Sequence, residues 1–129
     1  MNYEEIGRMS VLSLAHVGDA VYELLVRTRL AEKGLATVVG LHRATVQLVK
    51  APAQAKAAAV LLPLLNEREH AVYRRGRNSH VNSVPHGATK AEYHAATALE
   101  AVFGYLWLAG ERERVRELFE AVMEVEDAT

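Results

Sequence analysis

Two long apolar stretches of this chain each carry a carboxylate. Asp19 lies in 11–26 (VLSLAHVGDAVYELLV), and Glu100 lies in 95–109 (AATALEAVFGYLWLA). Glu23 is the only other acid in the first stretch, and Glu100 is the only charge in the second. Both stretches are made of residues that favour helix. An ionised carboxylate left unpaired inside an apolar helix is costly, so a chain that keeps one needs a partner, a metal or a water-filled cleft for it. Two such sites on two apolar helices predict that the carboxylates meet in space. Gly18 beside Asp19, and Gly104 four residues after Glu100, are small enough to let two helices approach closely.

The rest of the chain reads as helix as well, with no alternating strand pattern. Besides a first helix over 10–33, stopped by Gly34, the pattern predicts a second over 41–50. A third starts at Pro52 and runs to about Leu62. A fourth opens on the capping-box pair Asn66 and Glu69 and ends near Gly76. A fifth spans 90–109, stopped by Gly110, and a sixth spans 111–125. In the sixth, Val115, Leu118, Phe119, Val122 and Met123 form one apolar stripe. The segment 77–89 (RNSHVNSVPHGAT) reads as a loop. The fold class is therefore all-α, a bundle of about six main helices in a single domain over 1–129. The helices at 10–33 and 90–109 are expected at its centre. Helices this apolar in so small a domain also suggest a face covered by a second subunit, with Phe103, Tyr105 and Trp107 as candidate anchors.

With 129 residues, one compact domain is affordable and two ordinary ones are not. The absence of cysteine excludes disulfides, thiolate metal sites and cysteine nucleophiles. No uncharged apolar run is long enough to span a membrane, and MNYEEIGRMS does not read as a signal peptide, so the expected location is the cytoplasm. The formal net charge of −1 conceals an asymmetry: residues 24–99 hold eleven Lys/Arg against four Asp/Glu, while the two ends hold four against twelve. A basic middle is the footprint of a polyanion site, although an unevenly charged solvated surface gives the same count.

Asp19 and Glu23 share a helix face. If the two central helices cross at the glycines, Asp19 and Glu100 converge. Hard oxygen ligands without thiols or clustered histidines suit Mg²⁺, with Mn²⁺ as a substitute. Carboxylate-held metal beside a basic surface suits phosphodiester hydrolysis, because the metal deprotonates the attacking water and neutralises charge developing on phosphate. The residues alone leave other readings open: a buried Asp can accept hydrogen bonds from a neighbouring helix, and Glu100 can pair with an arginine. His16, three residues before Asp19, reads better as a core or rim histidine than as a ligand. The remaining histidines lack zinc-site spacing.

Taken together, the segments resemble the ribonuclease III endonuclease-domain family. LAHVGDAV (14–21) is similar to its first signature, and LEAVFGYLWL (99–108) to its second. Within that family the chain resembles the short Mini-ribonuclease 3 (Mini-III) group, which lacks a double-stranded-RNA-binding domain. It does so in GDAVYELLVR (18–27), LHRATVQLVKAPAQA (41–55), RRGRN (74–78) and TALEAVFGYLWLAG (97–110). The resemblance implies a homodimeric, Mg²⁺-dependent endoribonuclease that cleaves double-stranded RNA and matures the 5′ and 3′ ends of 23S rRNA precursor. It implies that Asp19 and Glu100 are the catalytic metal ligands. Full-length members carry two further acids, at positions occupied here by Ala15 and Thr97; the short group shares this reduced set.

With no appended RNA-binding domain, the chain itself must supply the phosphate and 2′-hydroxyl contacts by which A-form RNA is held. Arg43, Lys50, Arg74, Arg75, Arg77, Asn78 and Lys90 are the expected RNA-binding residues. The partners implied are structured precursor rRNA within large-subunit ribosomal particles, a second copy of the chain, and a helper ribosomal protein. Two rivals stand beside this reading. One is a non-catalytic RNA-binding or ribosome-assembly factor on the same fold, motivated by Ala15 and Thr97. The other is a helical protein-interaction module, which the basic middle disfavours.

Overall fold

The computed structural model of the chain describes residues 1–79, 83–84 and 86–128. Regular structure among them is helical: α1 (Tyr3–Gly7), α2 (Val11–Glu32), α3 (Val38–Val49), α4 (Ala51–Leu61), α5 (Glu67–Arg77), α6 (Lys90–Leu108) and α7 (Arg112–Asp127). A short 3-10 turn (Leu62–Leu64) leads out of α4.

Local chemistry explains most of the boundaries. Side-chain oxygens of Ser10, Thr37, Asn66 and Thr89 accept from backbone N–H groups in the first turns of α2, α3, α5 and α6. In α5 and α6 the third residue, Glu69 or Glu92, returns a bond to the cap residue's own N–H and closes a capping box. Pro52 occupies the first turn of α4, where its missing N–H costs nothing. The cap on Thr37 starts α3 at Val38, ahead of the expected 41. The helix α1 was not expected at all.

The core is built around α6. Its residues 96–99 and 101–106 are buried, and α2, α4, α5 and α7 pack against it. Tyr22 of α2 meets Phe103 of α6 and Phe119 of α7 edge-on, with centroids 5.2 and 5.6 Å apart. The stripe Val115, Leu118, Phe119, Val122 and Met123 is buried as its spacing predicts.

Two expectations change. Only α6 is enclosed; α2 buries one face and leaves Leu12 and Leu24 about half exposed. Phe103 and Tyr105 do not serve as outward anchors. They are buried in their own chain, Phe103 against Tyr22 and Tyr105 stacked on Tyr3 at 5.9 Å. Trp107 is half-buried and covered by the Arg112 guanidinium, 3.7 Å from the ring centre.

Candidate active site

Where α2 crosses α6, the backbones touch. A Cβ on Gly18 would stand 1.6 Å from the Glu100 carbonyl oxygen, and one on Gly104 would stand 1.9 Å from the Leu14 carbonyl oxygen. Neither glycine can be replaced without pushing the helices apart. This contact sets Asp19 and Glu100 beside each other, and their side chains share a hydrogen bond.

Asp19 is exposed and Glu100 is half-buried, so neither acid lies in the core as such. The crossing leaves them at its rim, with Glu100 on the enclosed side. Burial pushes the Glu100 carboxyl up from 4.5 to about 8, and the Asp19 charge and hydrogen bond push the same way; only the Gln54 amide opposes them. The Glu100 carboxyl therefore favours its protonated form at neutral pH when no cation is bound. Glu23, on the Asp19 face, is occupied by Arg27 at 2.8 Å. His16 is exposed.

Gln54 was not foreseen. It projects from α4, is 1 % exposed, and donates from Nε2 to the Val49 carbonyl at 3.0 Å, while its Oε1 is buried without a partner. The signal was present in APAQAKAAAVL, where Gln54 is the one uncharged polar side chain among alanines. Together with Lys50, Pro52, His86, Tyr93 and Glu100 it lines a cleft of about 410 Å³. Among the described residues no three His, Cys, Asp or Glu cluster as a metal site, so the carboxylate set is a pair. Ala15 and Thr97 are buried, and the Thr97 hydroxyl is spent on the Tyr93 carbonyl of its own helix at 3.0 Å.

Of the expected RNA-binding residues, Lys50 lines the cleft. Arg43 is exposed on α3 and lines a separate shallow depression. Arg74, Arg77 and Asn78 are exposed at the end of α5, and Lys90 is exposed at the start of α6. Arg75 is also exposed, but it donates to the Met9 carbonyl at 3.0 Å and so ties α5 to the α1–α2 turn. The loop residues His80, Val81, Asn82 and Pro85 lie outside the described residues.

The all-helical fold agrees with what the chain is similar to. A family model for the Ribonuclease III domain matches residues 12–111. The chain is 48% identical to a Mini-ribonuclease 3 of Symbiobacterium thermophilum, over 85% of each sequence. It is 43% identical to that of Thermoanaerobacter sp., covering 95% of this chain and 86% of the relative. A crystal structure of a protein from Fusobacterium nucleatum superposes with a TM-score of 0.85 at 28% identity, covering 92% of this chain and 95% of the other. The chain belongs to the ribonuclease III domain family, in its Mini-ribonuclease 3 branch. That class is endoribonucleolytic, and the enzyme is a hydrolase of RNA. No helix among the described residues is long and apolar enough to cross a membrane.

Proposed function

We propose that the chain is a cytoplasmic, Mg²⁺-dependent endonuclease for double-stranded RNA that matures the ends of 23S rRNA precursor. The observation that carries this reading is the hydrogen-bonded pair of Asp19 and Glu100 at the glycine crossing. Burial, with the Asp19 charge beside it, pushes the Glu100 carboxyl up from 4.5 to about 8, so its anion is disfavoured there without a cation. A divalent cation would stabilise both carboxylates in their ionised form, and the buried, unpartnered Gln54 Oε1 beside Glu100 suits the same environment. Asp19 and Glu100 would hold the ion, with Mn²⁺ able to substitute. The bound ion supplies a nucleophilic water at neutral pH and neutralises charge on the phosphate. Two protein carboxylates are enough for Mg²⁺, which keeps several waters.

The chain's own residues hold the RNA. Lys50 on the cleft edge, with Arg43, Arg74, Arg75, Arg77, Asn78 and Lys90, offers phosphate and sugar contacts that are indifferent to sequence. A homodimer would give one site per strand of a duplex; the exposed Leu12 and Leu24 of α2 are apolar surface available to it. Precursor rRNA in large-subunit particles, presented with a ribosomal protein, is the proposed substrate.

Asp19→Asn tests the reading. It is expected to abolish Mg²⁺-dependent cleavage of a structured RNA while leaving RNA binding largely intact. Undiminished cleavage by this variant overturns the assignment. Buried Ala15 and Thr97, which bring no carboxylate, favour a second reading as a non-catalytic RNA-binding factor. That reading predicts salt-dependent RNA binding by the unaltered chain, with no cleavage in Mg²⁺ or Mn²⁺.

A further inference from the structure

The face of α4 turned toward the core is apolar except at one place. Ala57, Ala58 and Leu61 are buried on this helix, and so is Gln54, at 1 % exposure. An apolar residue at 54 would pack there without any hydrogen-bonding demand. Burying a carboxamide with one end unsatisfied is unfavourable, because the desolvation of that end is not repaid. One end is satisfied: Nε2 donates to the Val49 carbonyl at 3.0 Å, across the α3–α4 junction. The carboxamide shares the cleft wall with Glu100 and lies close enough to favour its ionised carboxyl. Oε1 is enclosed and accepts from none of the described residues. Nearby positions do not compensate for missing oxygens, since Ala15 has none and the Thr97 hydroxyl is committed to its own helix.

We propose that Gln54 is a positioning residue of the metal site. Its carboxamide, braced on the Val49 carbonyl, holds the Glu100 carboxylate, and its Oε1 accepts a hydrogen bond from a water of the cation held by Asp19 and Glu100. This inference rests on the metal-dependent reading of that pair. A carboxamide suits the task because it has two donor hydrogens, one for each of two acceptors, and an acceptor oxygen left over. It also adds no charge to a site where two carboxylates already repel. Groups that act on a metal through its waters or its ligands typically change metal affinity or activity by about 10–100-fold when removed.

The test compares Gln54→Leu, Gln54→Glu and Asp19→Asn with the unaltered chain. Mn²⁺ binding to the RNA-free protein is measured by calorimetry, and the Mg²⁺ dependence of duplex-RNA cleavage is measured in parallel. Gln54→Leu is expected to weaken Mn²⁺ binding and raise the half-activating Mg²⁺ concentration by about 10–100-fold. Its KM for RNA at saturating Mg²⁺ and its melting temperature should stay at the values of the unaltered chain. Gln54→Glu keeps an acceptor oxygen but gives up both donor hydrogens, so it is expected to bind Mn²⁺ less tightly than the unaltered chain and more tightly than Gln54→Leu. Should the leucine variant melt early, Gln54→Met, closer in shape, takes its place. Wild-type Mn²⁺ affinity in Gln54→Leu, or an equal loss in Gln54→Glu, overturns the proposal. If Asp19→Asn still binds Mn²⁺ and cleaves, the metal reading itself fails. If Asp19→Asn is inactive while Gln54→Leu behaves as wild type, only the role of Gln54 fails.

Discussion

Glu69 and Glu100 are both helix glutamates drawn out of water, and the chain treats them in opposite ways. Glu69 is 1 % exposed and saturated with donors. Arg114 of α7 grips it through Nε at 2.9 Å and a second guanidinium nitrogen at 2.8 Å, and the Asn66 N–H adds a bond at 2.9 Å. Burial acts to raise its pKa, but the guanidinium and the backbone donor outweigh it and hold the carboxyl below its usual range. Arg114 also donates to the Leu64 carbonyl at 2.7 Å, so the network joins α5, α7 and the 3-10 turn. Among the described residues Glu100 has no such cation; it faces a second carboxylate and one amide. A buried acid with its charge matched is a structural clamp. A buried acid set against another acid has its anion disfavoured by burial first and by the neighbouring charge second, with no guanidinium to offset either.

The contrast breaks first at activity. Glu100→Gln removes a proposed ligand charge and is expected to reduce Mg²⁺-dependent cleavage on the order of 10³-fold, several kcal/mol of lost stabilisation. Single-turnover cleavage of a duplex RNA at saturating Mg²⁺ measures it. A loss below about tenfold would mean that the two glutamates differ in packing only.

The sequence exposes one of these sites and conceals the other. Asp19 and Glu100 stand out because their neighbours are apolar, and Gly18 and Gly104 mark the crossing that puts them together. Glu69 sits among charged residues in EREHAVYRRGR, so its burial is invisible; only its capping-box spacing from Asn66 is legible, and that is what fixes the start of α5. The arginine that neutralises it arrives from 45 residues away. The same limit hides α1. Its capping box is local, but it is held by Tyr3 stacking on Tyr105 and by the terminal ammonium on the Leu108 carbonyl at 2.9 Å. It also explains Phe103 and Tyr105, whose size suggests an interface until Tyr22 and Tyr3 are seen to cover them. Gln54 is legible in principle, as a polar residue in an alanine helix. Which face of that helix is buried, however, is decided by its packing on α6.

Arg114→Ala should do to stability what Glu100→Gln does to activity. It leaves Glu69 buried and uncompensated, at a cost of about 3 kcal/mol, readable from the urea midpoint. Cleavage by the folded fraction should be unchanged. Glu69→Gln with Arg114→Met keeps an acceptor for the Asn66 N–H and removes both charges. It should recover most of the loss, since a buried pair is stabilising mainly relative to a broken one.

The smallest effect concerns pH, and here the two glutamates run in opposite directions. The Glu69 pKa is depressed in the folded state, so its contribution is present above the unfolded value and is lost as pH falls below about 4.5. The Glu100 pKa is raised. Between 4.5 and about 8 the unfolded chain has released a proton that the folded chain keeps, so stability declines as pH rises through that window and then levels off. The metal-free protein should therefore be most stable on the acid side of neutrality. Glu100→Gln should remove the alkaline decline and stabilise the apo-protein by about 1–2 kcal/mol at pH 8, after discounting for the partial exposure of the site. Mg²⁺ should stabilise the unaltered chain at pH 8 more than at pH 5 and leave the Glu100→Gln variant nearly unaffected. Thermal melts at the two pH values, with and without Mg²⁺, give four numbers for each protein. An alkaline decline that persists in Glu100→Gln would move the unrelieved charge away from this crossing.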